Sequence, residues 1–378
     1  MKRSKLRLIP MFVFLIFVFA LAILFFILPK KEYSSSEKRY LQQAPAFSFE
    51  ALFSGKFGDE FETFLSDQFA GRNFFVGLSS YYQLFVGNNG STGIYYCKDN
   101  YLVNDPCGDG RLSVNADVIE EFALKHSTIP TSVVIAPSTG YICADVLPAV
   151  HNEYQDDRYF DLFKEKFKTA SFVDLRESFK DEYQSGRQIY YRTDHHWTTY
   201  GAYTAYRALS HELDYTPNDQ SIYEITSFDG FYGTTYSSSS FWLTPADQIE
   251  VWDNHRNDDT TSVTIYEGEE KTESSDMFFY SHLEEDDKYP VFLDGNHPFE
   301  TIENASASSD EKLLIIKDSF AHSLTPFLSD HFKEITMIDM RYYKENISEL
   351  IEKEKFDRIL FVYSVDNLAT DTDLVWLQ

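Results

Sequence analysis

Leu313-Leu314-Ile315-Ile316-Lys317-Asp318-Ser319-Phe320-Ala321-His322 is the stretch on which the fold turns. Four large aliphatic residues in a row mark a strand buried on both faces, the habit of parallel sheets. The run stops at Lys317-Asp318, and a helical pattern from Ala321 to Phe332 follows, so Ser319 falls in a tight turn at a helix start. N–H groups at a helix start favour negative charge, including the oxyanion of a tetrahedral intermediate. A serine after an aspartate at such a place is also an ordinary N-cap. Partners are needed before it means more.

Working outward, short apolar runs recur at Ser132–Pro137, Ser171–Leu175, Ile335–Ile338 and Ile359–Tyr363, with helical patterns at Tyr159–Thr169 and Lys344–Glu354. Strands alternating with helices predict β-α-β units, hence an α/β protein built on a doubly wound parallel sheet. The section from about 214 to 311 differs. It is rich in Ser, Thr, Asp and Tyr, with β-like runs at Ser262–Tyr266 and Met277–Tyr280, and reads as a long irregular or β insertion. Near the other end, Phe57, Phe61, Phe64, Leu65 and Phe69 recur at helical spacing among acidic residues, predicting an amphipathic helix that docks on the core.

The partners for Ser319 lie in Tyr190-Tyr191-Arg192-Thr193-Asp194-His195-His196-Trp197, followed by Thr198-Thr199-Tyr200-Gly201-Ala202. Thr198 or Thr199 is a natural N-cap for a helix burying Ala202, Ala205, Tyr206 and Leu209. Asp194, His195 and His196 therefore sit in the loop that enters this helix. In an extended loop, residues two apart point the same way, which puts Asp194 and His196 on one side and turns His195 elsewhere. A serine hydroxyl needs a base, and the base needs an orienting group. His196 and Asp194 fill these roles if the loop meets the strand end. Asp-His-His alone also fits a metal site and marks a class of manganese phosphoesterases, but the further Asp-rich motifs of that class are missing. His322 reads as a solvated helix residue, and Arg341, just past the strand ending at Ile338, as a surface arginine or a group facing the same cleft.

The first 29 residues read as a transmembrane signal-anchor. Lys2, Arg3, Lys5 and Arg7 precede an uncharged apolar run from Leu8 to Leu28, interrupted only by Pro10. At about 1.5 Å per residue this run spans a bilayer core. It ends in Phe25-Phe26-Ile27-Leu28 rather than in the small residues of a cleavage site. The basic head favours a cytoplasmic N-terminus, which places the rest of the chain outside the cytoplasm. Residues 30–45 are polar and read as a tether, leaving 46–378 as the α/β domain. Of the 378 residues 43% are hydrophobic, enough for a substantial core, and the net charge of -27 argues against nucleic acid as a partner. Cys97 and Cys107 flank a turn-rich stretch, and a local disulfide and two free thiols are both open readings; no Cys/His spacing suggests zinc.

Asp194-His195-His196-Trp197 followed by Thr-Thr-Tyr-Gly-Ala resembles the signature of the DHHW family, bacterial surface proteins similar to the SGNH-hydrolase-like acetyltransferases of alginate biosynthesis. Ser54-Gly55-Lys56-Phe57, Leu65-Ser66-Asp67-Gln68-Phe69-Ala70-Gly71-Arg72, Gly295-Asn296-His297 and Lys317-Asp318-Ser319-Phe320-Ala321-His322-Ser323 match its other blocks. The resemblance implies an SGNH-like fold in which Ser319 attacks an acyl donor, His196 takes its proton and Asp194 orients the imidazole. It also implies oxyanion or substrate contacts from Gly295, Asn296 and Arg341, and no cofactor. One departure stands out: SGNH hydrolases read Gly-Asp-Ser, and here Lys317 replaces the glycine, whose backbone freedom a lysine lacks.

The expected activity is O-acetyl transfer to a cell-surface polysaccharide, or acyl removal from it. By resemblance, a membrane-bound O-acyltransferase partner delivers the acetyl group. The competing expectation is a non-catalytic, membrane-tethered glycan-binding or assembly protein, with Tyr223, Tyr232, Tyr236 and Trp242 stacking on sugar rings or else filling the core.

Overall fold

The computed structural model describes residues 8–34, 39–255 and 260–377; the basic head before Leu8 and Lys38 lie outside the described residues. The chain divides into two compact units, one of residues up to 88 together with 237–243, the other of 89–236 and 244–378.

The first unit is helical. Its helix α1 (Ile9–Ile27) buries none of its residues and is long and apolar enough to cross a membrane. Pro10 lies in its first turn, where the missing N–H costs nothing. Helices α2 (Lys56–Asp67) and α3 (Arg72–Phe85) follow. The buried Asp67 carboxylate ties the connecting chain to α2, accepting from Arg39 at 3.0 and 2.6 Å and from the Gln42 N–H at 2.8 Å. The amphipathic helix expected around Phe57–Phe69 is present: in α2 Phe64 and Asp67 are buried, and Phe61, Leu65 and Phe69 stay exposed. Spacing reveals that a helix has an apolar face; it does not reveal what covers it.

The second unit is the α/β body. Its strands of four or more residues, in chain order, are β1 (Thr131–Ala136), β2 (Ser171–Asp174), β3 (Glu224–Phe231), β4 (Asp247–Asp253), β5 (Thr261–Glu267), β6 (Glu270–Ser274), β7 (Phe299–Asn304), β8 (Lys312–Lys317), β9 (Glu334–Ile338) and β10 (Arg358–Ser364). Eight form one sheet in the order β6-β5-β7-β9-β8-β10-β1-β2. The five strands from β9 to β2 are parallel, and β7, β5 and β6 extend the sheet antiparallel. The 214–311 section thus supplies an antiparallel edge, and β3 and β4 pair as a separate ribbon. Of the Met277–Tyr280 run, only a single bridge from Phe278 to Phe292 is β structure.

Helices cover both faces of this sheet: α4 (Leu112–Lys125), α5 (Asp156–Lys166), α9 (Ile347–Glu354) and α10 (Val365–Thr370) on one, and α6 (Arg176–Gln184), α7 (Thr199–Leu209) and α8 (Ala321–Leu328) on the other. Strand side chains alternate between the layers. Leu313 and Ile315 join the α7–α8 core, and Leu314 and Ile316 join the α4–α5 core. Counted cyclically from β8, the parallel order β9-β8-β10-β1-β2 is 2-1-3-4-5, a doubly wound order whose switch point lies between β8 and β10. Ligands bind outside the carboxyl ends of strands at such a point, and Ser319 stands there, two residues past β8.

Candidate active site

Ser319 is held by the residue before it. The Asp318 Oδ1 accepts from the Phe320 N–H at 2.9 Å, while Oδ2 accepts from Ser364 N–H (2.8 Å), Ser364 Oγ (3.1 Å) and Asn367 Nδ2 (2.8 Å) at the end of β10. Asp318 therefore stitches the turns after β8 and β10 together. Lys317 closes β8 without a positive φ, so its backbone needs no glycine. The Ser319 N–H meets no acceptor among the described residues.

The loop carrying Asp194 is closed by a Tyr190–Trp197 bridge, with the Thr198 N–H donating to Ile189 O at 2.8 Å. Within it, the Arg192 N–H, Thr193 N–H and Thr193 Oγ1 converge on Asp247 Oδ2 at 2.9, 2.7 and 2.8 Å. The fully buried Trp197 pins the loop to α8 through Nε1 to Ser323 Oγ at 3.0 Å. Thr198 is the N-cap of α7, accepting from the Gly201 N–H.

These constraints bring the three residues into line. His196 Nδ1 lies 2.5 Å from Asp194 Oδ1, and His196 Nε2 lies 2.7 Å from Ser319 Oγ. All three residues are buried, with Ser319 the most accessible at 8%. Asp194 Oδ1 also accepts from the His196 N–H at 2.9 Å, and Oδ2 accepts from Thr234 N–H at 2.7 Å and Thr234 Oγ1 at 3.1 Å. Gly233 is what permits this approach: a Cβ there would stand 2.2 Å from Asp194 Oδ2. The imidazole stacks on Tyr289 (ring centroids 4.0 Å, 9°) and leans on Phe320 at 4.9 Å. The Tyr289 hydroxyl donates to Ser319 O at 3.3 Å.

His195 does not turn away as its position in the loop suggested. Its ring centroid is 3.9 Å from that of His196, and its Nδ1 lies 2.5 Å from Thr234 Oγ1. The Thr234 hydroxyl has one proton, which goes to Asp194, so His195 Nδ1 carries the proton of its own hydrogen bond. Burial, and then the neighbouring His196, push its pKa down to about 4. The donor atoms of Asp194, His195 and His196 cluster within 4.8 Å, close enough for a cation. Each is already engaged by Thr234, Ser319 or a neighbour in the trio, so a cation would have to break these bonds.

The remaining candidates form a second polar group. Arg341 grips Asp339 through Nε (2.9 Å) and Nη2 (2.5 Å), and Nη2 also donates to Asn296 Oδ1 at 3.0 Å. The Gly295 N–H donates to Phe292 O at 3.3 Å. The structure thus joins Asn296 to Arg341, and among the described residues it places none of the three in a hydrogen bond with Ser319 or His196. Nor is His322 solvated, as its helix position suggested: it is 1% exposed and its Nε2 is hydrogen-bonded with Lys317 Nζ. Beside Lys317, Glu300 and Asp339 oxygens each stand 3.9 Å from Nζ. Burial pushes the Lys317 and His322 pKa values down and that of Glu300 up to about 8. Among the possible sugar-stacking aromatics, Tyr223 belongs to the α7–α8 core, Trp242 packs on Phe74 and Tyr81 in the first unit, and Tyr232 and Tyr236 lie half-buried with centroids 4.3 Å apart. Cys97, Cys107 and Cys143 are free thiols.

Reading along the chain missed Thr234, Gly233, Asp247 and Tyr289. All four lie in the aperiodic 214–311 section, where no local pattern singles them out.

The fold and the site together define a doubly wound α/β protein with an Asp–His–Ser array at its switch point. The DHHW family model, described as DHHW protein, matches residues 162–338, which contain both Asp194-His195-His196-Trp197 and Ser319. A DHHW family protein from Eubacterium siraeum superposes with a TM-score of 0.62 at 21% identity, over 76% of this chain and 95% of its own. Bacillus cereus PatB1 with a sulfonyl adduct superposes with a TM-score of 0.63 at 21% identity, over 74% of this chain and 96% of its own. A comparison with curated proteins found no match. The DHHW resemblance read from the motif holds, and the α/β sheet is shared with these structures.

Proposed function

We propose that this chain is a membrane-anchored, outward-facing serine acyltransferase that moves acetyl groups on a cell-surface polysaccharide. The observation that carries the reading is the buried line from Asp194 through His196 to Ser319, with links of 2.5 and 2.7 Å. Ser319 Oγ attacks the carbonyl carbon of an acyl donor while its proton passes to His196 Nε2. Asp194, on Nδ1, holds the imidazole and stabilises the imidazolium. The Ser319 N–H is the oxyanion donor at hand. His196 then returns the proton to the departing group, leaving an acyl-serine. A sugar hydroxyl gives its proton to His196 and attacks that ester, which frees Ser319. Asn296 Nδ2 and Arg341 Nη1 remain as donors for substrate, and the Tyr232–Tyr236 pair beside Gly233-Thr234 offers a face for a sugar ring. A membrane-bound O-acyltransferase supplies the acyl group in this scheme.

The test uses the full-length chain in detergent or vesicles with p-nitrophenyl acetate, with and without oligosaccharide. Ser319→Ala and His196→Ala should each lose at least about 1,000-fold in kcat with folding intact. A sulfonyl fluoride, the adduct class seen in PatB1, should label the parent chain and not Ser319→Ala. Activity unchanged in both variants would remove the acyl-serine chemistry.

A further inference from the structure

From Asn73 to Cys97 there is no charged residue, a run of twenty-five in a chain that is 25% charged. Its first half is α3. One side of α3 is occupied within its own unit: Ser80 Oγ donates to Ser239 O at 2.7 Å, and a Cβ on Gly77 would collide with the Trp242 indole. The other side is largely open, with Trp242 reaching round only as far as Phe74. Phe74, Leu78, Tyr82 and Phe85, at helical spacing, are 56, 49, 58 and 87% exposed, a continuous apolar stripe along the helix.

Two ring contacts of this unit place α2 and α3 against α1. Phe25, near the end of α1, meets Phe64 of α2 with centroids 5.7 Å apart, and Phe17, the ninth of the nineteen α1 residues, meets Phe75 of α3 at 6.3 Å. The middle of a helix that crosses a bilayer lies in the hydrocarbon. A ring touching it lies there too, and so does the helix that carries the ring. An α-helix satisfies its own backbone hydrogen bonds, so it can be there without exposed polar groups. We propose that α3 is a second membrane-embedded element, lying beside α1 with its Phe74–Leu78–Tyr82–Phe85 stripe against acyl chains. The inference rests on α1 crossing the bilayer, as in the function proposed above. The occupant it commits to is lipid, because the stripe is uncharged and its helix touches the span at mid-length.

The experiment places the photo-crosslinker p-benzoylphenylalanine singly at Leu78, Phe85, Val18 in α1 and Glu62 on the acidic face of α2, in the full chain reconstituted in phosphatidylcholine–phosphatidylglycerol vesicles. Mass spectrometry reads the adducts after illumination. Lipid adducts are expected at Val18, Leu78 and Phe85 and not at Glu62. If Val18 captures lipid while Leu78 and Phe85 capture none, α3 is not embedded and the inference alone is overturned. Protein adducts at Leu78 and Phe85 in place of lipid overturn it in favour of a second copy on this face. If Val18 itself captures no lipid, α1 does not span, and the anchoring reading falls together with the inference.

Discussion

At the scale of single residues, the site depends on one carboxylate being held from both ends. Asp194 faces the His196 imidazole with Oδ1 and is fixed by Thr234 through Oδ2. Thr234→Val keeps the shape and removes the hydroxyl, which also serves His195. The expected result is a roughly 10-fold fall in kcat/KM, together with a loss of about 1–2 kcal/mol in unfolding free energy as the buried hydrogen bonds go. Gly233→Ala is harsher: its Cβ cannot coexist with a carboxylate oxygen 2.2 Å away, so Asp194 must move. A displacement approaching 1 Å at such a group costs about 100-fold in rate, which p-nitrophenyl acetate turnover would register. Asp194, His196 and Ser319 could be singled out together because their residue types and local settings point to one array, and the fold does bring the three into one hydrogen-bonded line. Thr234 and Gly233 could not be singled out, since a threonine and a glycine in an aperiodic stretch carry no signal until the chain has folded them against a carboxylate more than 35 residues away.

At the scale of elements, strands were readable wherever both faces are buried. Ser132–Pro137, Leu313–Ile316 and Ile359–Tyr363 are continuous aliphatic and aromatic runs, and β1, β8 and β10 begin and end within two residues of them. The edge strand β6, Glu270-Lys271-Thr272-Glu273-Ser274, is polar throughout, and only its pairing with β5 makes it a strand. The helix from Ala321 was expected to reach Phe332, but regular helix stops at Leu328, two residues after Pro326. The turn joining β8 to this helix gives the prediction at this scale. Asp318 Oδ2 gathers three donors from the end of β10, and an amide in its place presents either two further N–H donors or a weaker, uncharged oxygen. Asp318→Asn should cost about 2–4 kcal/mol in a denaturant unfolding curve, and should slow sulfonyl labelling of Ser319, because the nucleophile's turn loses its tie to the neighbouring strand.

At the scale of the whole molecule, the buried group of Lys317, Glu300, Asp339 and His322 makes stability depend on pH. Glu300 keeps its proton in the folded chain up to about pH 8, against 4.5 for the free carboxyl, because burial outweighs the pull of Lys317. Between those values the folded chain holds a proton that the unfolded chain has released, so stability falls as pH rises, by up to about 1.4 kcal/mol per unit. Lys317, Asp339 and Asp294 are the charged groups that act on it. Glu300→Gln removes the titration, and its unfolding free energy should decline less than that of the parent chain between pH 6.5 and 7.5. An equal decline in both chains would show that Glu300 is already ionised. This cluster was not foreseen: the sequence shows a lysine where a glycine is usual, but not that it is sealed in by two acidic side chains, from β7 and the end of β9.

The cyclic strand order has one more consequence, for the protein as it is made. Asp194 and His196 leave the ribosome with the loop after α6, more than a hundred residues ahead of Ser319, and the residues that brace the serine's turn come later still, at Ser364 and Asn367. A chain interrupted between α7 and β10 carries Asp194 and His196 but lacks the residues that brace the turn of Ser319. The acyl transfer proposed above would therefore be withheld from nascent and truncated copies, with the order in which the polypeptide is synthesised as its safety catch.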